Sequence, residues 1–260
     1  MSDYAMIIKR ATHGDLRNFL RSHKSKISWK EKARILVNIA KSLNSLHKLD
    51  LVHQDFHCRN ILVDDNMKIF IGDFGLSGPV NSKTDKNKPI EGVLPYIAPE
   101  VLRGNSYTKK SEIFSFGIIM WEMAFFIPPF KDRTHDVHLV VDILLKGLRP
   151  LIMSSIPKIY ENIMKLCWHE DPSKRPDASQ LIVILDEFIE LSEDEPIDII
   201  QPSLLFMQKK PDAEFSINQY NISKVDQDVA PPFQKSIKDE NELVVAPPFQ
   251  KSIKDENESR

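Results

Sequence analysis

Between residues 29 and 47 apolar side chains recur every three to four positions, at Leu36, Ile39, Ala40, Leu43 and Leu46, which predicts a helix with one buried face. Ser28, followed three residues later by Glu31, has the spacing of a capping box and sets the start of that helix. The stretch 111–126 behaves differently. Phe114, Phe116, Ile118, Ile119, Met120 and Trp121 make it apolar almost all round, so the helix it predicts belongs at the centre of a helical domain. Between these two lie apolar runs at 51–52, 61–63 and 69–71, separated by polar turns; they are too short for helices and suit small strand pairs. A further short apolar run at 4–8 reads as a strand, and 135–146, 156–168 and 177–191 show helical patterning bounded by Pro150, Pro157, Pro172 and Pro176. The expected architecture is mainly α with short β-hairpins over residues 1–191.

Composition changes beyond Leu191. Residues 192–260 hold 14 acidic and eight basic side chains, against 23 acidic and 27 basic in residues 1–191. A 14-residue unit, Val-Ala-Pro-Pro-Phe-Gln-Lys-Ser-Ile-Lys-Asp-Glu-Asn-Glu, occurs at 229–242 and again at 245–258. Two short copies cannot stack into a core of their own, so 192–260 is expected to be a disordered acidic tail. Its Pro-Pro-Phe repeats are candidate docking peptides for a partner protein, and a spacer without a partner is the plainer alternative.

Charge and cysteines narrow the function classes. A net charge of −2 and a pI near 6.5 lack the basic surplus that binding to a phosphate backbone demands, so nucleic acid is not expected as a partner. Cys58 and Cys167 lie far apart with no metal-ligand spacing, which suits reduced thiols rather than a disulfide framework or zinc. His13, His23, His47, His135 and His138 offer no metal spacing either. With no run of about 18 apolar residues and no leader pattern, a soluble cytoplasmic chain without membrane contact is expected.

The chemistry concentrates in His53-Gln54-Asp55-Phe56-His57-Cys58-Arg59-Asn60, followed by Asp73-Phe74-Gly75 and Ala98-Pro99-Glu100. Downstream, Cys167-Trp168 precedes Asp171-Pro172-Ser173-Lys174-Arg175-Pro176. In order and spacing these resemble the catalytic loop, the metal-binding triplet and the end of the activation segment of eukaryotic-type protein kinases, within the tyrosine-kinase-like group. The resemblance implies a kinase C-lobe helical bundle and transfer of the ATP γ-phosphoryl group to protein hydroxyls. Such transfer depends on positioning and charge neutralisation more than on covalent chemistry from the protein.

On that resemblance Asp55 accepts or orients the proton of the incoming hydroxyl, and Asn60 with Asp73 holds Mg²⁺. Two short strands joined by a turn separate Asn60 from Asp73, so a hairpin can bring both to one site. Phe74 is expected beneath His53, and Glu100 with Arg175 forms a buried ion pair. The segment from Tyr4 to Leu20 resembles the last N-lobe strand, the hinge and the first C-lobe helix. Ile8 then sits at the gatekeeper position, Ala11 offers backbone groups to adenine, and Leu62 forms the floor beneath the ring.

The chain also departs from the family pattern. It contains eight glycines and no Gly-x-Gly-x-x-Gly, and the strand lysine that grips ATP phosphates would lie before residue 1. Impaired transfer, or a pseudokinase scaffold without catalysis, is the expectation for these 260 residues. Gln54 replaces an arginine that in many kinases grips a phosphorylated loop, His57 stands where a lysine is usual, and Val93 stands where a threonine is usual. Glu112 replaces the aspartate that anchors the catalytic loop, and its extra methylene predicts a looser loop. The preference between Ser/Thr and Tyr hydroxyls stays open. The premise common to these roles is that Asp55, Asn60 and Asp73 converge on one pocket.

Overall fold

The computed structural model describes residues 11–24, 26–81, 90–153 and 156–190. The 4–8 run with Ile8, the activation-segment hydroxyls Ser82 and Thr84, and the repeat-bearing tail lie outside them.

Helix α1 (Leu16–Ser22) begins where the Asp15 carboxylate accepts the Asn18 N–H at 2.8 Å. Helix α2 (Trp29–Lys48) has the complete capping box: Ser28 N–H donates to Glu31 Oε2 at 2.7 Å, and Glu31 N–H to Ser28 Oγ at 3.2 Å. Short helix α3 (Pro99–Leu102) leads to α4 (Lys109–Phe125), in which every residue from 111 to 125 is buried. The all-round apolarity of that segment follows from its central place. Helices α5 (Val137–Leu145), α6 (Lys158–Cys167) and α7 (Ala178–Glu190) complete the bundle, α6 lying against α4 and α7 against α2 around one hydrophobic core. At Gly117 a Cβ would come within 2.9 Å of Cys167 Cβ, so the glycine is what lets α4 and α6 approach so closely.

The three short apolar runs are strands β1 (Leu51–Val52), β2 (Ile61–Val63) and β3 (Ile69–Ile71). Strands β2 and β3 form the expected antiparallel hairpin, with Leu62 opposite Phe70. Its turn is closed by Asp64 Oδ1, which accepts the N–H groups of Asn66 and Lys68, both at 2.9 Å. Strand β1 pairs with β4 (Gly78–Pro79), a partner that its own pattern does not announce.

Lys32 is an unusual core residue. Its Nζ sits 3.9 Å from the Trp29 ring centroid and 4.3 Å from that of Phe126, and donates to the Ala124 carbonyl at 3.5 Å. No carboxylate pairs with it among the described residues. Burial lowers its pKa to about 8 from the ordinary 10.5. The folded state therefore sheds this proton before the unfolded state does, and stability rises with pH across that interval. In thermal melts, the wild-type chain is expected to gain on Lys32→Met between pH 8 and pH 10, and parallel pH curves would count against a penalised ammonium.

Candidate active site

Loop 53–60 is built on α4. The Glu112 carboxylate is 1% exposed; its Oε1 accepts the N–H groups of His53 at 2.5 Å and Gln54 at 2.9 Å, and its Oε2 lies 2.8 Å from His47 Nε2. The loop is not loosened by the extra methylene. Glu112 reaches both backbone donors and still ties the end of α2 to the same anchor. These bonds hold Gln54 at φ 67°, a conformation that costs a non-glycine residue about 1 kcal/mol.

His53 is fully buried and carries the loop to the next strand pair. Its Nδ1 accepts the Asp55 N–H at 3.3 Å, so Nε2 is the donor to the Gly72 carbonyl at 2.8 Å. The Phe74 ring lies 5.1 Å from the His53 ring, as expected, while remaining about half exposed at 51%.

The Asp55 side chain is 19% exposed. Asn60 Nδ2 donates to Asp55 Oδ2 at 3.1 Å and to the Asp55 carbonyl at 2.9 Å, and His57 Nε2 lies 3.3 Å from Oδ1. Burial by itself would raise the Asp55 pKa, yet His57, Asn60 and His53 bring it below the usual carboxylate value. Asp55 is thus an ionised acceptor at neutral pH. With both Asn60 amide hydrogens directed at Asp55, the Asn60 Oδ1 stays available as an oxygen donor to a cation.

Asp73 stands at the far end of the hairpin that Asn60 opens. The Gly72 N–H donates to the Asn60 carbonyl at 2.8 Å, extending the β2–β3 register by one pair, and Asp73 follows directly. Asp73 adopts φ 59°, is exposed, and makes no capping bond. A Cβ on Gly75 would lie 3.4 Å from Asp73 Oδ1. Two hard oxygen donors across one hairpin, neither taken by a protein hydrogen bond among the described residues, fit Mg²⁺, which commonly takes one or two protein carboxylates and completes its shell with water and phosphate. Among the described residues no three His, Cys, Asp or Glu side chains form a further metal cluster.

At the other end, the segment preceding α1 runs along β2: His13 N–H donates to the Val63 carbonyl at 3.1 Å, Val63 N–H to the Gly14 carbonyl at 2.9 Å, and Asp15 bridges Leu62. Leu62 is half-buried, and its Cδ1 lies 3.5 Å from where a Cβ on Gly72 would stand. Ala11 opens the same segment, but its carbonyl already accepts the Gly14 N–H at 3.1 Å. Ile8 lies outside the described residues.

Sequence reasoning missed a second polar cluster. Arg17 Nε donates to Glu122 Oε1 at 2.6 Å and Arg17 Nη2 to the Tyr96 hydroxyl at 3.1 Å, while that hydroxyl donates to Glu122 Oε2. All three residues are buried, and the Tyr96 ring lies 5.7 Å from the His57 ring, tilted by 50°. The available signal was Glu122, an acid within the apolar second half of α4, since a buried carboxylate requires a partner. The expected Glu100–Arg175 pair is present and bidentate, at 2.6 and 2.8 Å.

Residues 1–185 match the family model described as protein tyrosine and serine/threonine kinase. Among curated proteins, a probable serine/threonine-protein kinase of Dictyostelium discoideum is 29% identical over 191 residues, 69% of this chain and 11% of its own length. A putative serine/threonine-protein kinase/receptor of Acanthamoeba polyphaga mimivirus is 36% identical over 179 residues, covering 68% of this chain and 10% of that one. A serine/threonine/tyrosine-protein kinase of Arabidopsis thaliana is 30% identical over 188 residues, 72% of this chain and 48% of that one. The chain thus spans about a tenth of the first two relatives and about half of the third.

Proposed function

Because the chain belongs to the family of protein tyrosine and serine/threonine kinases, we propose that its site transfers the γ-phosphoryl group of ATP to a protein hydroxyl, with serine and threonine favoured. The observation that carries this reading is the hydrogen-bonded Asp55–Asn60 pair, to which the β2–β3 register adds Asp73. Mg-ATP supplies the transferable group and the counter-charge for it. Asp55, ionised and held at Oδ2 by Asn60, accepts the proton of the substrate hydroxyl. Asn60 Oδ1 and the Asp73 carboxylate would hold the metal, Leu62 would lie beneath the base, and the Ala11 N–H would address its edge. Ile8, lying outside the described residues, is assigned the gatekeeper role from its place in the sequence alone.

The names of the relatives favour serine and threonine, and the Arabidopsis protein's name adds tyrosine. Transfer by these 260 residues is expected to be slow, because no glycine-rich phosphate loop occurs among them. That observation also supports the second reading, a pseudokinase scaffold whose Pro-Pro-Phe repeats dock a partner protein. Among the described residues no helix is long and apolar enough to cross a membrane, and we place the chain's work in the cytoplasm.

A thermal-shift titration with Mg-ATP separates the two readings. Nucleotide that binds only the folded state raises the midpoint with concentration, and no shift at millimolar Mg-ATP would remove the enzyme reading for this chain. With a generic protein acceptor and labelled ATP, Asp55→Asn is expected to lower kcat by about 10²- to 10⁴-fold while the nucleotide-induced shift persists.

A further inference from the structure

We propose that His57 is a positioning residue for Asp55, holding its carboxylate with a neutral imidazole whose single proton sits on Nε2. The kinetic part of this proposal rests on the phosphoryl-transfer reading, whereas the state of the ring does not.

The state of the ring follows from its two contacts. His57 Nδ1 accepts the Arg59 backbone N–H at 3.1 Å, capping the short turn Cys58–Asn60. A backbone N–H can only donate, so Nδ1 must carry a lone pair. The remaining nitrogen, Nε2, lies 3.3 Å from Asp55 Oδ1. That oxygen is buried, and no group among the described residues, His57 Nε2 included, makes a well-directed hydrogen bond to it in this geometry. A buried carboxylate oxygen calls for a donor, and Nε2–H is the one in reach. In this geometry Nδ1 carries no proton, because it accepts from the Arg59 N–H.

The ring has little freedom to leave this arrangement. His57 is 6% exposed and lies against Tyr96, whose hydroxyl is fixed by Arg17 and Glu122. Asn60 holds Asp55 Oδ2, and His57 holds Oδ1. Two donors on two oxygens set the carboxylate plane, which an acceptor of a substrate proton needs in one orientation. Being neutral, His57 contributes direction to Asp55 and no cationic charge to a phosphate.

Two substitutions separate the two ring nitrogens. Asn can replace Nδ1 as the acceptor for Arg59 but reaches Asp55 with nothing, whereas Gln can carry an N–H to the position of Nε2. In the full chain, His57→Asn is expected to fold normally and lose about 10- to 100-fold in kcat with the KM for ATP little changed. His57→Gln is expected to recover part of that loss. Wild-type kcat in His57→Asn would overturn the positioning role. Ring ¹H–¹⁵N spectra of the histidine-labelled chain at pH 7, with the signal assigned by its absence in His57→Asn, should show a protonated Nε2 and a bare Nδ1. A protonated Nδ1 would overturn the assignment whether or not the chain is active. A wild-type chain that transfers no phosphoryl group would instead remove the phosphoryl-transfer reading, and with it the kinetic role of His57, leaving the ring assignment to be decided by the spectra.

Discussion

Arg175→Ala is expected to lower the unfolding free energy of the chain by about 3–5 kcal/mol, the range for breaking a buried ion pair by removing one partner. The guanidinium is 2% exposed and its donors are fully used. Nη1 and Nη2 grip the two oxygens of Glu100, Nε donates to the His169 carbonyl at 2.8 Å, and further bonds reach the carbonyls of Lys110 at 3.0 Å and Glu170 at 3.2 Å. Removing it strands a carboxylate 12% exposed and three backbone acceptors at the junction of α3, α4 and the turn before α7. Urea denaturation of the full-length variant measures the loss. Arg175→Lys should recover little of it, because a lysine cannot make the forked contact with Glu100 while also serving the carbonyls. A cost below about 1 kcal/mol, the range of exposed pairs, would show that the interaction is a surface one.

Glu112→Ala should be the next most damaging change, costing about 3 kcal/mol and disordering the active-site loop. It removes at one stroke the acceptor for two backbone N–H groups and the partner of His47. Gln54, held at φ 67°, then has nothing to offset its strain. Glu112→Gln keeps the shape and one acceptor oxygen, so it should retain most of the fold. Hydrogen exchange at the His53 and Gln54 amides tests this locally: protection should collapse in Glu112→Ala, and unchanged protection would mean that the carboxylate does not anchor the loop.

These two carboxylates differ in how readily they could be read from the chain. Glu100 and Arg175 pair on the sequence alone because each sits in a recognisable motif, and the structure adds the three carbonyls that complete the arginine's shell. The sequence marks Glu112 as an anchor but suggests a slack loop that the structure does not have. One extra methylene predicts slack only if the carboxylate has a single task, and His47 supplies a second one. Strand β4 went unseen because a two-residue Gly-Pro strand carries no apolar pattern, and its pairing with β1 spans the whole β2–β3 hairpin.

The sequence by itself determined those features whose causes lie within a few residues of one another. The Ser28–Glu31 cap starts α2, all-round apolarity makes α4 central, the Asp64 turn closes the β2–β3 hairpin, and Asn60 reaches Asp55 five residues back. Only the tertiary structure decided the Arg17–Glu122–Tyr96 cluster and the seat of Lys32 between Trp29 and Phe126. The physical reason is that a helix or hairpin repeats at a spacing the chain itself displays, whereas a buried charge is satisfied by whichever donor packing brings near. Arg17 and Glu122 are separated by 105 positions, and no periodicity connects them.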